Sequence, residues 1–86
     1  MNNKLELTGW EYLKPLYNDL KDINSSEDFI HRCVQHGITL HTYTWDTDLN
    51  NIVALFEDKY LHLYDGNEEK WWQLFLDTKL SDYTNE

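Results

Sequence analysis

Oxygen-bearing side chains stand at alternate positions in the middle of this 86-residue chain. Asp46, Asp48 and Asn50 occupy the first, third and fifth places of a stretch whose twelfth place is Glu57. Carboxylate and amide oxygens are the ligands that Ca²⁺ prefers, and the ion takes roughly six to eight of them. The spacing therefore raises the hypothesis of a calcium-binding loop formed by these four residues.

The stretch resembles the calcium loop of the EF-hand family, whose ligands include places 1, 3, 5 and 12. It departs from that family at the sixth place, where Asn51 stands instead of glycine. The family also requires a helix on each side, whereas residues 38–45 (ITLHTYTW) alternate in polarity as a strand does. The alternative interpretation, which we favour, is a turn rich in Asp and Asn between two strands.

The surrounding residues, 38–65, favour a three-stranded antiparallel meander. Ile38–Trp45 is rich in the β-branched and aromatic residues that suit a pleated surface. Ile52–Glu57 and Tyr60–Tyr64 then form the arms of a hairpin around Asp58-Lys59. In this register one face is wholly apolar and carries Ile52, Ala54, Phe56, Leu61 and Leu63.

Helices are predicted on both sides of the meander. Thr8 and Glu11 form a capping box that opens an apolar face running from Trp10 to Ile23, interrupted on the wet side by Pro15. A second helix spans about Ser26–His36, and a third begins after Asp65 or Asn67, although residues 68–80 also suit a fourth strand.

The predicted fold class is therefore α+β, in one domain covering residues 1–86. The expected order is α-α-β-β-β-α, with the helices packed on one face of the sheet. A short edge strand at Lys4–Leu7 is possible before the first helix, and the tail after Leu80 is expected to fray.

In this topology the end of the first strand, the start of the second and the end of the third meet at one end of the sheet. Carboxylates around aromatic anchors are what a binder of a basic protein surface offers. The predicted partner-binding residues there are Trp45, Asp46, Asp48, Tyr64, Asp65, Glu68 and Glu69.

The net charge of the chain makes some classes of binding partner less suitable than others. Sixteen Asp and Glu against seven Lys and Arg give a net charge of −9, which repels nucleic acid and anionic membranes and attracts basic proteins. Cys33 is the single cysteine, and the start of the chain has no signal-like apolar run, so a cytoplasmic location is expected, in a bacterium or a phage-infected host.

Catalysis and cofactors are not expected from this sequence. No catalytic triad spacing stands out, three glycines leave no phosphate loop, and the four histidines do not share metal-ligand spacing.

The favoured hypothesis is a small acidic inhibitor, of the immunity or phage anti-defence type, that covers a basic surface of a nuclease or another nucleic-acid-binding effector. The alternatives are a calcium-binding module and a plain adaptor, the latter as a monomer or as a homodimer through a sheet face carrying Tyr60, His62 and Tyr64.

Overall fold

The chain folds as a set of helices in the computed structural model, which describes residues 4–17, 20–40, 43 and 45–84. The α-helices are α1 (Gly9–Leu13), α2 (Ser26–Gln35), α3 (Thr47–Tyr60), α4 (Glu68–Asp77) and α5 (Ser81–Thr84). Short 3-10 turns lie at Lys4–Glu6, Lys14–Leu16 and Leu61–Leu63.

The predicted α+β class is wrong. Within the ranges that the structure describes there is no sheet, and the pairing between extended residues is limited to an isolated bridge between Thr8 and Lys79. The N-terminal segment that suggested an edge strand forms a 3-10 turn at Lys4–Glu6 instead.

The first helix begins at the predicted capping box but ends well before Ile23, where the predicted apolar face ends. The Thr8 side chain accepts a hydrogen bond from the backbone N–H of Glu11, and the Glu11 carboxylate accepts one from the N–H of Thr8, so the capping box is confirmed. Helix α1 stops at Leu13 and gives way to a 3-10 turn that contains Pro15. Proline has no N–H for the helical hydrogen bond and clashes with the carbonyl four residues earlier, which accounts for the break.

Helix α2 follows the sequence closely. Ser25 caps it by accepting a hydrogen bond from the N–H of Asp28, and Phe29, Ile30 and Cys33 are buried on its inner face. Gly37 follows the helix with φ 71°, the left-handed conformation expected of a glycine in that place.

The largest correction concerns residues 47–60, where the predicted hairpin is a single helix. The buried residues of α3 recur at helical spacing and are Leu49, Ile52, Val53 and Phe56. The hairpin register places Ala54 inside and Val53 outside, whereas in the structure Ala54 is exposed and Val53 is buried. A helical period of 3.6 therefore describes this segment better than a period of two.

Two local features explain why the chain is helical there. The Asp46 side chain accepts a hydrogen bond from the N–H of Leu49 at 2.9 Å, so the first residue of the supposed turn is the N-cap of α3. Neither glycine nor proline interrupts residues 47–60, and Asp58-Lys59 is not a favoured hairpin turn. The helix therefore continues to Tyr60, where the predicted third strand becomes the 3-10 turn Leu61–Leu63.

The predicted first strand has no regular structure where it is described. Ile38–Leu40 and Trp45 lie outside helices and strands, and residues 41, 42 and 44, which include His41, lie outside the described residues. Leu40 is nevertheless fully buried in the core, and its backbone N–H donates a hydrogen bond to the Glu68 carboxylate at the start of α4.

Helix α4 confirms the helical alternative for residues 68–77. Asn67 caps it by accepting a hydrogen bond from the N–H of Lys70. Its inner face buries Trp71, Trp72, Phe75 and Leu76. The tail predicted to fray instead forms α5, in which Tyr83 is buried against Phe56 with their ring centroids 5.3 Å apart.

Close packing of α1 on α4 depends on Gly9. A β-carbon built on Gly9 would lie 2.4 Å from the carbonyl oxygen of Phe75, closer than any real contact, so this crossing accepts only glycine. The two helices are also joined through the backbone, because the N–H of Gly9 donates to the carbonyl of Thr78. The core they enclose is rich in rings, with Trp72, Phe56 and Phe75 fully buried.

Candidate functional site

The predicted acidic residues lie at the N-termini of two helices rather than at the end of a sheet. Asp46 and Asp48 belong to the start of α3, and Asp65, Glu68 and Glu69 surround the start of α4. The two helix starts are joined inside the core by Trp45 and Trp72, whose ring centroids are 6.1 Å apart. Trp45 is therefore a buried core residue and not an exposed anchor for a partner.

The Asp46 side chain stabilises the fold through two hydrogen bonds. Besides capping α3, its carboxylate accepts a hydrogen bond from the hydroxyl of Tyr17 at 3.0 Å. Burial, with this contact, raises the pKa of the Tyr17 hydroxyl. Asp48, in the same helical turn, is exposed and makes no hydrogen bond or ion pair within the described chain.

Glu68 is also committed to the framework. One carboxylate oxygen accepts a hydrogen bond from the backbone N–H of Leu40 at 3.0 Å, and the other accepts one from the hydroxyl of Tyr64 at 3.1 Å. Desolvation and the bond to Glu68 raise the pKa of the Tyr64 hydroxyl. Tyr64 in turn packs on Trp71, so both predicted partner-binding residues serve to hold the 38–40 segment against α4.

Asp65 is partly neutralised by its surroundings. It forms an ion pair with Lys70 at 3.0 Å and accepts a hydrogen bond from the N–H of Asn67. The bond from Lys70 is the main cause of a pKa below the usual value for an Asp carboxyl. Glu69, by contrast, is exposed and makes no hydrogen bond or ion pair with the described residues.

A shallow groove between α2 and α4 contains Glu69, whereas the exposed Asp48 lies outside it. Two adjoining depressions share Glu69, one reaching Val34 and Asp65 and the other reaching Glu27 and His31. We call this surface the α2–α4 groove. Its residues are Glu27, Ile30, His31, Val34, Asp65, Gly66, Asn67, Glu68, Glu69 and Gln73.

Sequence reasoning did not find the α2 side of this groove. Glu27, His31 and Val34 lie on one helical face at spacings of three and four, a signal that the sequence does contain. Val34 counts as part of the apolar face in a helical wheel, yet it is 39% exposed because the groove opens beside it.

The four residues of the calcium hypothesis are not brought together. Asp46 and Glu57 are eleven residues apart on a continuous helix, which at about 1.5 Å per residue separates them by roughly 16 Å along the axis. Asn50 turns its side chain to the backbone of Trp45, donating to its carbonyl and accepting from its N–H. Among the described residues no group of three His, Cys, Asp or Glu side chains could hold a metal ion.

A second opening, unsuspected from the sequence, lies among aromatic rings. The described residues that line it come from distant segments and are Tyr17, Leu20, Phe29, Cys33, Ile38, Tyr43 and Trp45. The Cys33 thiol is buried there, and burial raises its pKa to about 12, so it remains protonated at neutral pH. No spacing rule connects these positions, because only tertiary packing brings them together.

Comparisons with known proteins assign no role to these residues. No protein-family model, no curated protein and no solved structure matches this chain. None of the helices in the described ranges is both long and apolar enough to cross a membrane.

Proposed function

We propose that this chain is a small acidic binding protein that covers a basic surface of another protein. The observation that carries the proposal is the α2–α4 groove, where Glu27 and Glu69 are exposed on facing helices beside the exposed side chain of Val34. The proposed activity is binding and not catalysis.

The groove suits lysine and arginine side chains for a physical reason. These side chains have long apolar stems, which pack on groups such as Val34, and cationic heads, which interact with carboxylates. Among the described residues the Glu69 carboxylate forms no ion pair, and Lys70 is already held by Asp65. The negative charge at Glu27 and Glu69 is therefore available to a partner.

A nuclease or another nucleic-acid-handling effector is the proposed class of target. Such proteins carry a cationic site for phosphates, and a chain with a net charge of −9 is attracted to it over long range. In this proposal the chain inhibits its target by covering that cationic site, in the cytoplasm of a bacterium or a phage-infected host. The buried free thiol of Cys33 is compatible with a reducing compartment.

The test compares two double variants of equal charge. Glu27→Gln with Glu69→Gln removes two carboxylates from the groove, and Asp22→Asn with Asp58→Asn removes two exposed carboxylates elsewhere. Immobilised wild-type and variant proteins are used to capture partners from a bacterial lysate at low salt and at roughly 0.5 M salt.

We expect the wild type and the control variant to retain a basic partner at low salt and to release it at high salt. The groove variant should retain at least tenfold less of it. Equal retention by both variants would place the interface elsewhere on the surface, and retention indifferent to salt would contradict an electrostatic interface.

A further inference from the structure

We draw no further inference here: the strongest candidate, the apolar opening that Tyr17, Phe29, Tyr43 and Trp45 line between α2 and the segment before α3, carries none because nothing in the structure shows what would occupy it.

Discussion

The first turns of α3 and α4 have similar composition and divide their charges in the same way. In α3, Asp46 is tied to Leu49 and Tyr17 while Asp48 lies in solvent. In α4, Glu68 is tied to Leu40 and Tyr64, whereas Glu69 is exposed in the groove. In each turn one carboxylate builds the fold and another contributes to the surface.

The two turns differ in what they hold. Asp46 accepts hydrogen bonds from the first turn of its own helix and from the hydroxyl of the half-buried Tyr17, which are contacts near the surface. Glu68 accepts from the N–H of Leu40, a fully buried residue 28 positions earlier, and so fixes a segment that has no regular structure of its own. Carboxylates of equal charge therefore contribute unequally to stability, and the acidic surface is smaller than the sequence count indicates.

The comparison depends on residues 47–60 being one helix, and the largest expected effect tests that. Phe56→Ala should lower the free energy of unfolding by about 3–5 kcal/mol, because Phe56 is fully buried among four aromatic rings. Ala54→Glu should change it by less than about 0.5 kcal/mol, since Ala54 is exposed on α3. Urea denaturation measures both; a severe loss in Ala54→Glu would support the hairpin instead.

The second prediction concerns the neighbouring carboxylates of α4. Glu68→Ala should cost about 2–3 kcal/mol, because it leaves the N–H of Leu40 without an acceptor and also removes the bond from Tyr64. Glu69→Ala should cost less than about 0.5 kcal/mol. Thermal unfolding would then separate the two variants by roughly 10 °C in a domain of this size, and coincident melting curves would contradict the structural role of Glu68.

The third prediction concerns Asp46, the N-cap of α3. Asp46→Ala should destabilise the protein by about 1 kcal/mol through loss of the N-cap, and Asp46→Asn by much less, because Asn caps helices equally well. Asp48→Ala is the control within the same turn and should be nearly neutral. If Asp46→Asn and Asp46→Ala were equally destabilised, charge rather than capping would be responsible.

The smallest effect is a pH dependence at Asp65. Its pKa is lowered in the folded chain, chiefly by the hydrogen bond from Lys70, so ionised Asp65 stabilises the fold above its unfolded pKa. That contribution is lost as the pH falls below about 4, through the lower folded pKa. Asp65→Asn should lack this component, so the stability difference between wild type and variant should shrink on acidification; a difference constant from pH 7 to pH 2 would contradict it.

Sequence patterns located three of the helix starts because the cap and the first turn are local. Thr8 with Glu11, Ser25 with Asp28, and Asn67 before two glutamates each fix a helix start within four residues. Asp46 with Leu49 is the same kind of signal, but alternate Asp and Asn residues also fit a turn, and the apolar run after them fits either period. Interpreting residues 38–45 as a strand favours a turn and a hairpin after them, and that prediction is wrong.

Of the candidate site, the sequence identified residues but not their roles. Asp46 and Glu68 accept hydrogen bonds from backbone N–H groups and from the hydroxyls of Tyr17 and Tyr64. Two of these donors, Tyr17 and Leu40, lie 29 and 28 positions away from the carboxylate that they reach. The α2 side of the groove and the opening lined by Tyr17, Phe29, Tyr43 and Trp45 are both formed by segments whose relative positions no local pattern states.

By itself, the sequence determined the acidic character, the apolar faces of α1, α2 and α4, and the caps at which they begin. These follow from charge, periodicity and short-range hydrogen bonds, all of which act within a few residues. The tertiary structure alone decided that residues 47–60 form one helix, that Glu68 is structural while Glu69 is exposed, and that four rings surround a cavity. The physical reason is that burial depends on contacts between segments far apart in the chain, and those contacts select between local conformations of nearly equal propensity.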